Sequence, residues 1–269
     1  MSQYSNRSVV MIGLIIFFFI FTLTQIPIAK ASVSWMDDFN DESLDDWIVT
    51  RGVFSAEKQT LWAYGSESRI SNRAYHICNI TAGKWRFDIL VRHEWLWDYH
   101  PPSIRFMVSS LNDLDWQGYV VDFYTIYRST GDVFAVYLRK HTTTWAYISH
   151  YEFDRPSSGW QDVEIIRESN GHIKILLNST EIIDAIDTSI NESKYFAFDT
   201  EDCVQTVFDP ATHTDSFVRA KESPMLDNII VYETPGTTAL IRSMILIITC
   251  ATAGIITILY CRDELSQRR

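Results

Sequence analysis

Apolar and polar residues alternate with a period of two in many short segments ahead of residue 243. The clearest case is residues 85–92, where large apolar residues fall on one side of an extended chain and charged residues on the other, with Leu90 as the exception. The apolar side consists of Trp85, Phe87, Ile89 and Val91, and the charged side of Arg86, Asp88 and Arg92. This pattern is typical of a half-buried strand.

Similar segments recur along the chain and predict further strands. They lie at residues 104–108, 119–124, 133–138, 145–151, 181–187, 195–199 and 227–232. Helical periodicity is nearly absent before residue 243. Many short antiparallel strands within one body predict an all-β sandwich or barrel.

The strongest local signal is a β-hairpin formed by residues 160–168 and 172–178. Val163 and Ile165 would face inward opposite Ile173, Ile175 and Leu177. Between the two segments, Asn170-Gly171 is the dipeptide that provides positive φ angles in a tight turn.

An uncharged apolar run occupies residues 243–261. At about 1.5 Å per residue, a helix of this length crosses roughly 30 Å of hydrocarbon. A buried core helix is the alternative, but the run has no polar face. Several arginines follow the run and only Arg242 precedes it closely, so the tail at residues 262–269 is predicted to be cytoplasmic and the body extracellular.

The N-terminus fits the same topology. An apolar block at residues 9–23 follows Arg7, and Ala29-Lys30-Ala31 supplies the small residues that a signal peptidase requires. We therefore expect a signal peptide at residues 1–31 that is cleaved after Ala31. An uncleaved signal anchor is the alternative, and either reading exports the body.

The chain is acidic, with a formal net charge of −11. The body is more acidic still, because Arg7, Lys30 and the arginines from Arg242 onward fall outside it. Such a surface disfavours binding to nucleic acid. Around 200 residues are enough to form one sizeable core.

Two cysteines, Cys78 and Cys203, lie in the exported part. In an oxidising compartment they would form one disulfide, which would stabilise the body by up to about 5 kcal/mol in the chain-entropy model. Two buried free thiols are the alternative.

Several segments together resemble the concanavalin A-like lectin/glucanase superfamily, and within it the laminin-G-like jelly rolls. They are residues 35–47, 52–54, 61–62, 160–178 and 227–231. The resemblance implies a jelly roll of two antiparallel sheets with the first and last strands side by side, in which one face or its rim loops bind sugar or protein. One departure is Asn178-Ser179-Thr180, where the superfamily's hairpin usually ends in Asp-Gly.

Glycoside hydrolases of this superfamily carry paired carboxylates in a Glu-x-Asp-x-x-Glu arrangement, which this sequence lacks. The nearest groups are Glu164 with Glu168, and Glu181 with Asp184 and Asp187. We interpret them as solvated charges, so no catalytic residue is assigned.

Residues 93–100 predict a ligand-binding platform, because Trp95, Trp97 and Tyr99 occupy alternate positions of an extended segment. Their flat rings would stack on the apolar face of a sugar, and the neighbouring Glu94, Asp98 and His100 would bind its hydroxyl groups. Burial of these rings in the core is the alternative. Trp116, Tyr124 and Tyr127 would extend the platform.

Acidic clusters allow a structural calcium site, since carboxylates are its preferred ligands. The resemblance places Asp38 and Asp227 where superfamily members often hold calcium, and a simple acidic surface is the alternative. Asn79, Asn178 and Asn191 each begin a glycosylation sequon.

The sequence thus predicts a signal peptide (1–31), a jelly-roll ectodomain (32–233), a short linker (234–242), a transmembrane helix (243–261) and a cytoplasmic tail (262–269). The expected function is recognition of carbohydrate or a glycosylated surface protein at the cell surface. A membrane-tethered glycoside hydrolase or lyase, and a structural or protein-binding ectodomain, are the alternatives.

Overall fold

The computed structural model of the chain describes residues 32–64, 72–91, 102–112, 114–126, 133–154, 159–200, 204–209, 214–219 and 225–234. The predicted signal peptide, membrane span and cytoplasmic tail lie outside these residues, as does nearly all of the predicted linker. Within the described part of the chain, no helix is long and apolar enough to span a membrane.

Regular structure in these residues is almost entirely β. The strands are β1 (Ser32–Asp37), β2 (Trp47–Arg51), β3 (Val53–Ser55), β4 (Leu61–Tyr64), β5 (Asn72–Ile77), β6 (Gly83–Val91), β7 (Ser103–Val108), β8 (Gly118–Ile126), β9 (Val133–His141), β10 (Trp145–Asp154), β11 (Gly159–Arg167), β12 (His172–Leu177), β13 (Thr180–Ile186), β14 (Tyr195–Thr200), β15 (Val204–Asp209), β16 (Thr214–Arg219) and β17 (Met225–Glu233). A single 3₁₀ turn at Glu57–Gln59 joins β3 to β4.

Most of the strands form two large sheets. The eight-stranded sheet has the order β13-β12-β11-β6-β17-β4-β3, with β1 also paired to β17, and the seven-stranded sheet has the order β10-β9-β8-β7-β14-β5-β2. Strands β15 and β16 form a separate hairpin. The predicted all-β fold of two antiparallel sheets is confirmed, and the first and last strands lie side by side as the resemblance implied.

The core lies between the inner faces of the two sheets and is rich in aromatic residues. Trp85 of β6 packs on Phe106 of β7 at 5.2 Å between ring centroids, and Phe87 of β6 packs on Phe196 of β14 at 6.2 Å. Each contact joins one sheet to the other. Because truncation of such a buried ring typically costs about 3–5 kcal/mol, these pairs fix which side of each strand faces inward.

The predicted hairpin is present as β11 and β12, with Val163 opposite Leu177 and Ile165 opposite Ile175. Its turn differs from the expectation, because Gly171 has a positive φ of 87° and Asn170 does not have one. The Gly171 N–H donates to the Glu168 carbonyl at 3.0 Å, which closes a three-residue loop in place of a two-residue turn. An added Cβ at Gly171 would lie 2.6 Å from the Asp187 carbonyl oxygen, so glycine is required there.

The two-residue turn is instead the next one, between β12 and β13. Asn178 and Ser179 have φ angles of 50° and 66°, and Leu177 pairs with Thr180 across the turn. Positive φ at two central residues is the signature of a type I′ turn, which matches the twist of a hairpin. Asn178-Ser179 therefore forms this turn without a glycine.

Ser179 is a non-glycine residue in the left-handed region, so Ser179→Gly should stabilise the protein by about 0.5–1 kcal/mol. The sequon Asn178-x-Thr180 survives this change. Urea denaturation of the variant against wild type measures the gain. Ser169→Gly, in the neighbouring loop and without a positive φ, is the control and should give no gain. Equal free energies of unfolding for Ser179→Gly and Ser169→Gly would contradict the turn assignment.

Asp187, just after β13, is not the solvated charge that the sequence suggested. It accepts hydrogen bonds from Lys140 Nζ at 2.5 Å and from Tyr119 Oη at 2.9 Å, and its side chain is largely buried. Lys140 and Tyr119 belong to the seven-stranded sheet, whereas Asp187 follows a strand of the eight-stranded sheet. The carboxylate therefore ties the two sheets together. Glu181 and Asp184, by contrast, are exposed as expected.

Burial alone would raise the pKa of Asp187, but hydrogen bonds from Lys140, Ser189 and Tyr119 outweigh it and lower the pKa to about 2. A depressed carboxyl pKa stabilises the fold above the unfolded value near 4, and this stabilisation disappears as the pH falls toward 2. Asp187→Asn should therefore lose about 1–2 kcal/mol of unfolding free energy near pH 7.

The measurement is urea denaturation between pH 7 and pH 3, over which the gap between wild type and Asp187→Asn should narrow. Glu181→Gln is the matched control, because Glu181 is exposed and pairs with Lys174 on the surface at 2.8 Å. An equal, pH-independent loss in both variants would refute the proposed link between the sheets.

Candidate functional site

On the side of the seven-stranded sheet that faces away from the core, side chains form two rows that cross its strands, and most of them are buried. We call this side the outer face. The first row contains Arg73, Asp199, Ser103, Asp122, Tyr137 and His150. The second contains Tyr75, Ala197, Arg105, Val120, Arg139 and Tyr147. Strand pairing therefore brings charged and aromatic groups together from distant parts of the sequence.

One end of the outer face holds a buried charged cluster. Asp199 Oδ2 accepts hydrogen bonds from Arg73 Nη2 at 2.8 Å and from Arg105 Nη2. Burial lowers the pKa of Arg105, the charge of Asp199 opposes that effect, and the charge of Arg73 adds to it. Two guanidinium groups thus share one carboxylate oxygen.

Arg105 has donors that this carboxylate does not use. Its Nε and Nη1 atoms are buried and have no hydrogen-bond partner in the described structure. The guanidinium carbon lies 4.4 Å from the centroid of the Trp116 ring, so the group packs over an aromatic surface.

A second ion pair occupies the middle of the outer face. Asp122 is fully buried and accepts hydrogen bonds from Ser103 Oγ at 2.6 Å and Arg139 Nε at 2.5 Å. Burial alone would lower the pKa of Arg139, but its hydrogen bond and charge pairing with Asp122 raise it. Arg139 also lies over the Trp145 ring at 4.6 Å.

The other end of the outer face, along β10, is aromatic and open. Tyr147 is 73% exposed and Trp145 is 48% exposed. Behind them, Tyr137 stacks on His150 with ring centroids 5.3 Å apart. Exposed rings beside polar side chains suit a ligand that has both apolar faces and hydroxyl groups.

No protein-family model matches the sequence, and comparison with curated proteins gives no match. Solved structures do match the fold. Porphyranase B from Zobellia galactanivorans is 8% identical, with 78% of this chain and 95% of that chain covered and a TM-score of 0.53. A protein of unknown function with a galectin-like fold from Bacillus subtilis is 10% identical, with 76% and 98% covered and a TM-score of 0.51.

A third match is an endo-β-galactosidase from Clostridium perfringens that releases GlcNAcα1-4Gal. It is 11% identical, with 77% of this chain and 64% of that chain covered and a TM-score of 0.51. The fold is a concanavalin A-like jelly roll. The superfamily resemblance seen in the sequence is thereby confirmed at the level of fold, and the laminin-G-like branch stays a prediction.

The predicted sugar platform of this jelly roll lies outside the described residues. Trp95, Trp97, Tyr99, Glu94, Asp98 and His100 all belong to it, and Tyr127 is likewise not described. Trp116 and Tyr124, expected to extend that platform, both lie on the outer face. Trp116 is buried and packs edge-to-face on Trp145 at 5.5 Å.

The predicted calcium ligands are Asp38 and Asp227. Burial raises the pKa of Asp227; the Asn228 N–H opposes this effect, and the charges of Asp88, Asp38 and Asp37 add to it. These carboxylates therefore lie close enough to repel one another. In the described part of the jelly roll, however, no group of three or more acidic, histidine or cysteine side chains is arranged to hold a metal ion. Calcium binding stays a prediction.

Cys78 is a buried free thiol in the structure, and burial raises its pKa. Cys203 lies outside the described residues, so the predicted Cys78–Cys203 disulfide gains no support. The three sequon asparagines, Asn79, Asn178 and Asn191, are all exposed, as glycosylation requires.

The charged residues of the outer face were not identified from the sequence. A signal for them exists within two predicted strands, where Arg105 stands between Ile104 and Phe106, and Asp122 between Val121 and Phe123. A charge in the middle of a strand of this jelly roll shows which side faces away from the core. The sequence does not show which residue on another strand pairs with that charge.

Proposed function

We propose that this jelly roll binds carbohydrate along the outer face of its seven-stranded sheet. The observation that carries the proposal is the exposed pair Trp145 and Tyr147, which stands beside Arg139 and His150. The pyranose ring has an apolar C–H face and a polar rim of hydroxyl groups. An aromatic ring with polar side chains at its edge is complementary to both.

The aromatic surface is held in place by the sheet beneath it. Trp145 packs between the Arg139 guanidinium at 4.6 Å and the Trp116 ring at 5.5 Å. Tyr147 contacts Tyr137 at 5.9 Å between ring centroids. Pre-ordered rings lose little entropy when a ligand binds, which favours affinity.

Binding, and not bond cleavage, fits the carboxylates of the outer face best. Asp122 is fixed by Ser103 and Arg139, and Asp199 is fixed by Arg73 and Arg105. A glycosidase needs one carboxyl group that gives up a proton to the leaving oxygen and a second carboxylate as nucleophile or base. Carboxylates that are hydrogen-bonded to arginines, as those of Asp122 and Asp199 are, are poorly placed for either role.

Trp145→Ala and Tyr147→Ala should each weaken glycan binding at least about tenfold, because central aromatic residues dominate binding energy. A glycan array with the full-length protein finds the ligand, and isothermal titration calorimetry then measures the variants. Since residues 243–261 are predicted to cross a membrane, the detergent must lack a sugar headgroup.

Trp160→Ala is the matched control. Trp160 is 43% exposed, like Trp145, but lies on β11 in the other sheet. Its loss should leave the affinity unchanged. Equal weakening in all three variants would show that the outer face of the seven-stranded sheet is not the binding surface.

We further propose that the jelly roll is displayed on the cell surface, with a cleaved signal peptide at 1–31, a transmembrane helix at 243–261 and a cytoplasmic tail at 262–269. Charge and hydropathy of the two ends support this topology. The exposure of all three sequon asparagines is compatible with passage through a glycosylating compartment.

N-terminal sequencing of the mature protein should begin at Ser32. Treatment with a glycosidase that removes N-linked glycans should increase the electrophoretic mobility of the mature protein. The triple variant Asn79→Gln, Asn178→Gln, Asn191→Gln should abolish that shift. A peptide that begins upstream of Ser32 would indicate a signal anchor. A body protected from protease outside intact cells would overturn the topology.

A further inference from the structure

We propose that Arg105 binds an anionic group, so that the glycan recognised on the outer face is an acidic one that carries sulfate or carboxylate substituents. This inference rests on the proposed carbohydrate function. It begins from Nε and Nη1 of Arg105, two buried donors with no hydrogen-bond partner in the described structure.

A buried donor left unpaired is destabilising, and more so when it is charged. The Arg105 side chain is only 8% exposed, so bulk water does not satisfy it. A guanidinium group presents its donors in a planar fork that matches two oxygens of a sulfate or carboxylate. Nε and Nη1 lie on different edges of the group, each beside Nη2, so an anion oxygen contacts one of them at a time, while Nη2 is also engaged by Asp199.

The surroundings of Arg105 favour an added negative charge. It shares the single oxygen Asp199 Oδ2 with Arg73, so that carboxylate is divided between two guanidinium groups. Burial lowers the pKa of Arg105, and the charge of Arg73 lowers it further. A bound anion would relieve the repulsion between the two arginines.

The position of Arg105 matches the proposed glycan path. Arg105 and Arg139 are both register partners of Val120, and Tyr147 is the partner of Arg139. Three strand spacings separate β7 from β10, or about 14 Å at the usual distance between strands. A short oligosaccharide on the exposed rings spans this distance. Because Nε and Nη1 are buried, contact with its acidic substituent requires the side chains that cover them, Trp116 among them, to move.

The negative net charge of the protein allows binding at a local site to be distinguished from general attraction of polyanions. The chain has a formal net charge of −11 and repels polyanions in general. A preference for a sulfated glycan over the neutral form of the same polymer would therefore have to come from a local site.

The first experiment measures the melting temperature of the full-length protein in sodium sulfate and in sodium chloride at equal ionic strength. Sulfate stabilises most proteins by exclusion from their surface, without saturation. We expect an additional increase in wild type that saturates with sulfate concentration, as mass action requires for a site. Arg105→Lys keeps the charge but removes the Nε and Nη1 donors, and should abolish the saturating part.

The control is Arg86→Gln. Arg86 also pairs with a carboxylate, at 2.9 Å from Asp162, but is exposed on the other sheet. It should keep the saturating increase. No saturating increase in wild type, or its persistence in Arg105→Lys, would overturn the inference.

If Arg105→Lys does not fold, selenate soaked into wild-type crystals provides the second readout. Anomalous density for a selenate ion with an oxygen within hydrogen-bond distance of Arg105 Nε or Nη1 is expected, and its absence contradicts the site.

The second experiment compares κ-carrageenan with the same polymer after desulfation, by calorimetry. Wild type should bind the sulfated form at least about tenfold more tightly, the value of one charge-assisted contact. Binding of both forms with equal affinity, lost in Trp145→Ala, would refute the acidic-ligand inference and leave the proposed function standing. A saturating sulfate effect with no glycan binding would refute the proposed function and leave an anion site.

Discussion

The alternation of side chains along β14 governs both the core and the outer face. Phe196 and Phe198 are fully buried between the sheets, and this obliges Ala197 and Asp199 to point the other way. Because β14 pairs with β5 on one side and β7 on the other, its register also sets what Asp199 meets. A shift by one residue would expose two phenylalanines and bury Asp199 in the core.

The free energy gained by burying the hydrophobic core therefore offsets the cost of forming a charged outer face, which would not form by itself. Removing an ion from water costs several kcal/mol, and an ion pair recovers this only with good geometry and further hydrogen bonds. Asp122 meets that condition through Ser103 and Arg139. Arg105 does not, since two of its donors have no hydrogen-bond partner among the residues that the structure describes, and such a residue in a native protein calls for a functional explanation.

Sequence reasoning found those strands whose two faces differ in polarity. Strand β6 and the β11–β12 hairpin alternate cleanly because one face meets the core and the other meets solvent. Strand β5 was not predicted, because Asn72, Arg73, Ala74 and Tyr75 are all buried and polar residues occupy both of its faces. A period of two disappears when neither side is exposed to water.

The site was harder to predict than the fold, because its contacts are not local. Arg73 and Asp199 are 126 positions apart in the chain. Asp184 and Asp187 show the same difficulty at short range, since two carboxylates three residues apart end in opposite environments. Besides the local hydrogen bonds from Ser189, it is the approach of Lys140 and Tyr119 from the other sheet that distinguishes Asp187, and no pattern along β13 contains that information.

Arg139 couples the buried charges to the open aromatic end. It is paired with Asp122 on one side and lies over Trp145 on the other. A cation–π contact is worth about 0.5–2 kcal/mol, whereas an unpaired buried carboxylate costs about 3–5 kcal/mol. The ion pair therefore fixes the position of the guanidinium, and the tryptophan ring adapts to it. The exposed surface offered to a ligand is thus positioned from beneath by the Arg139–Asp122 ion pair.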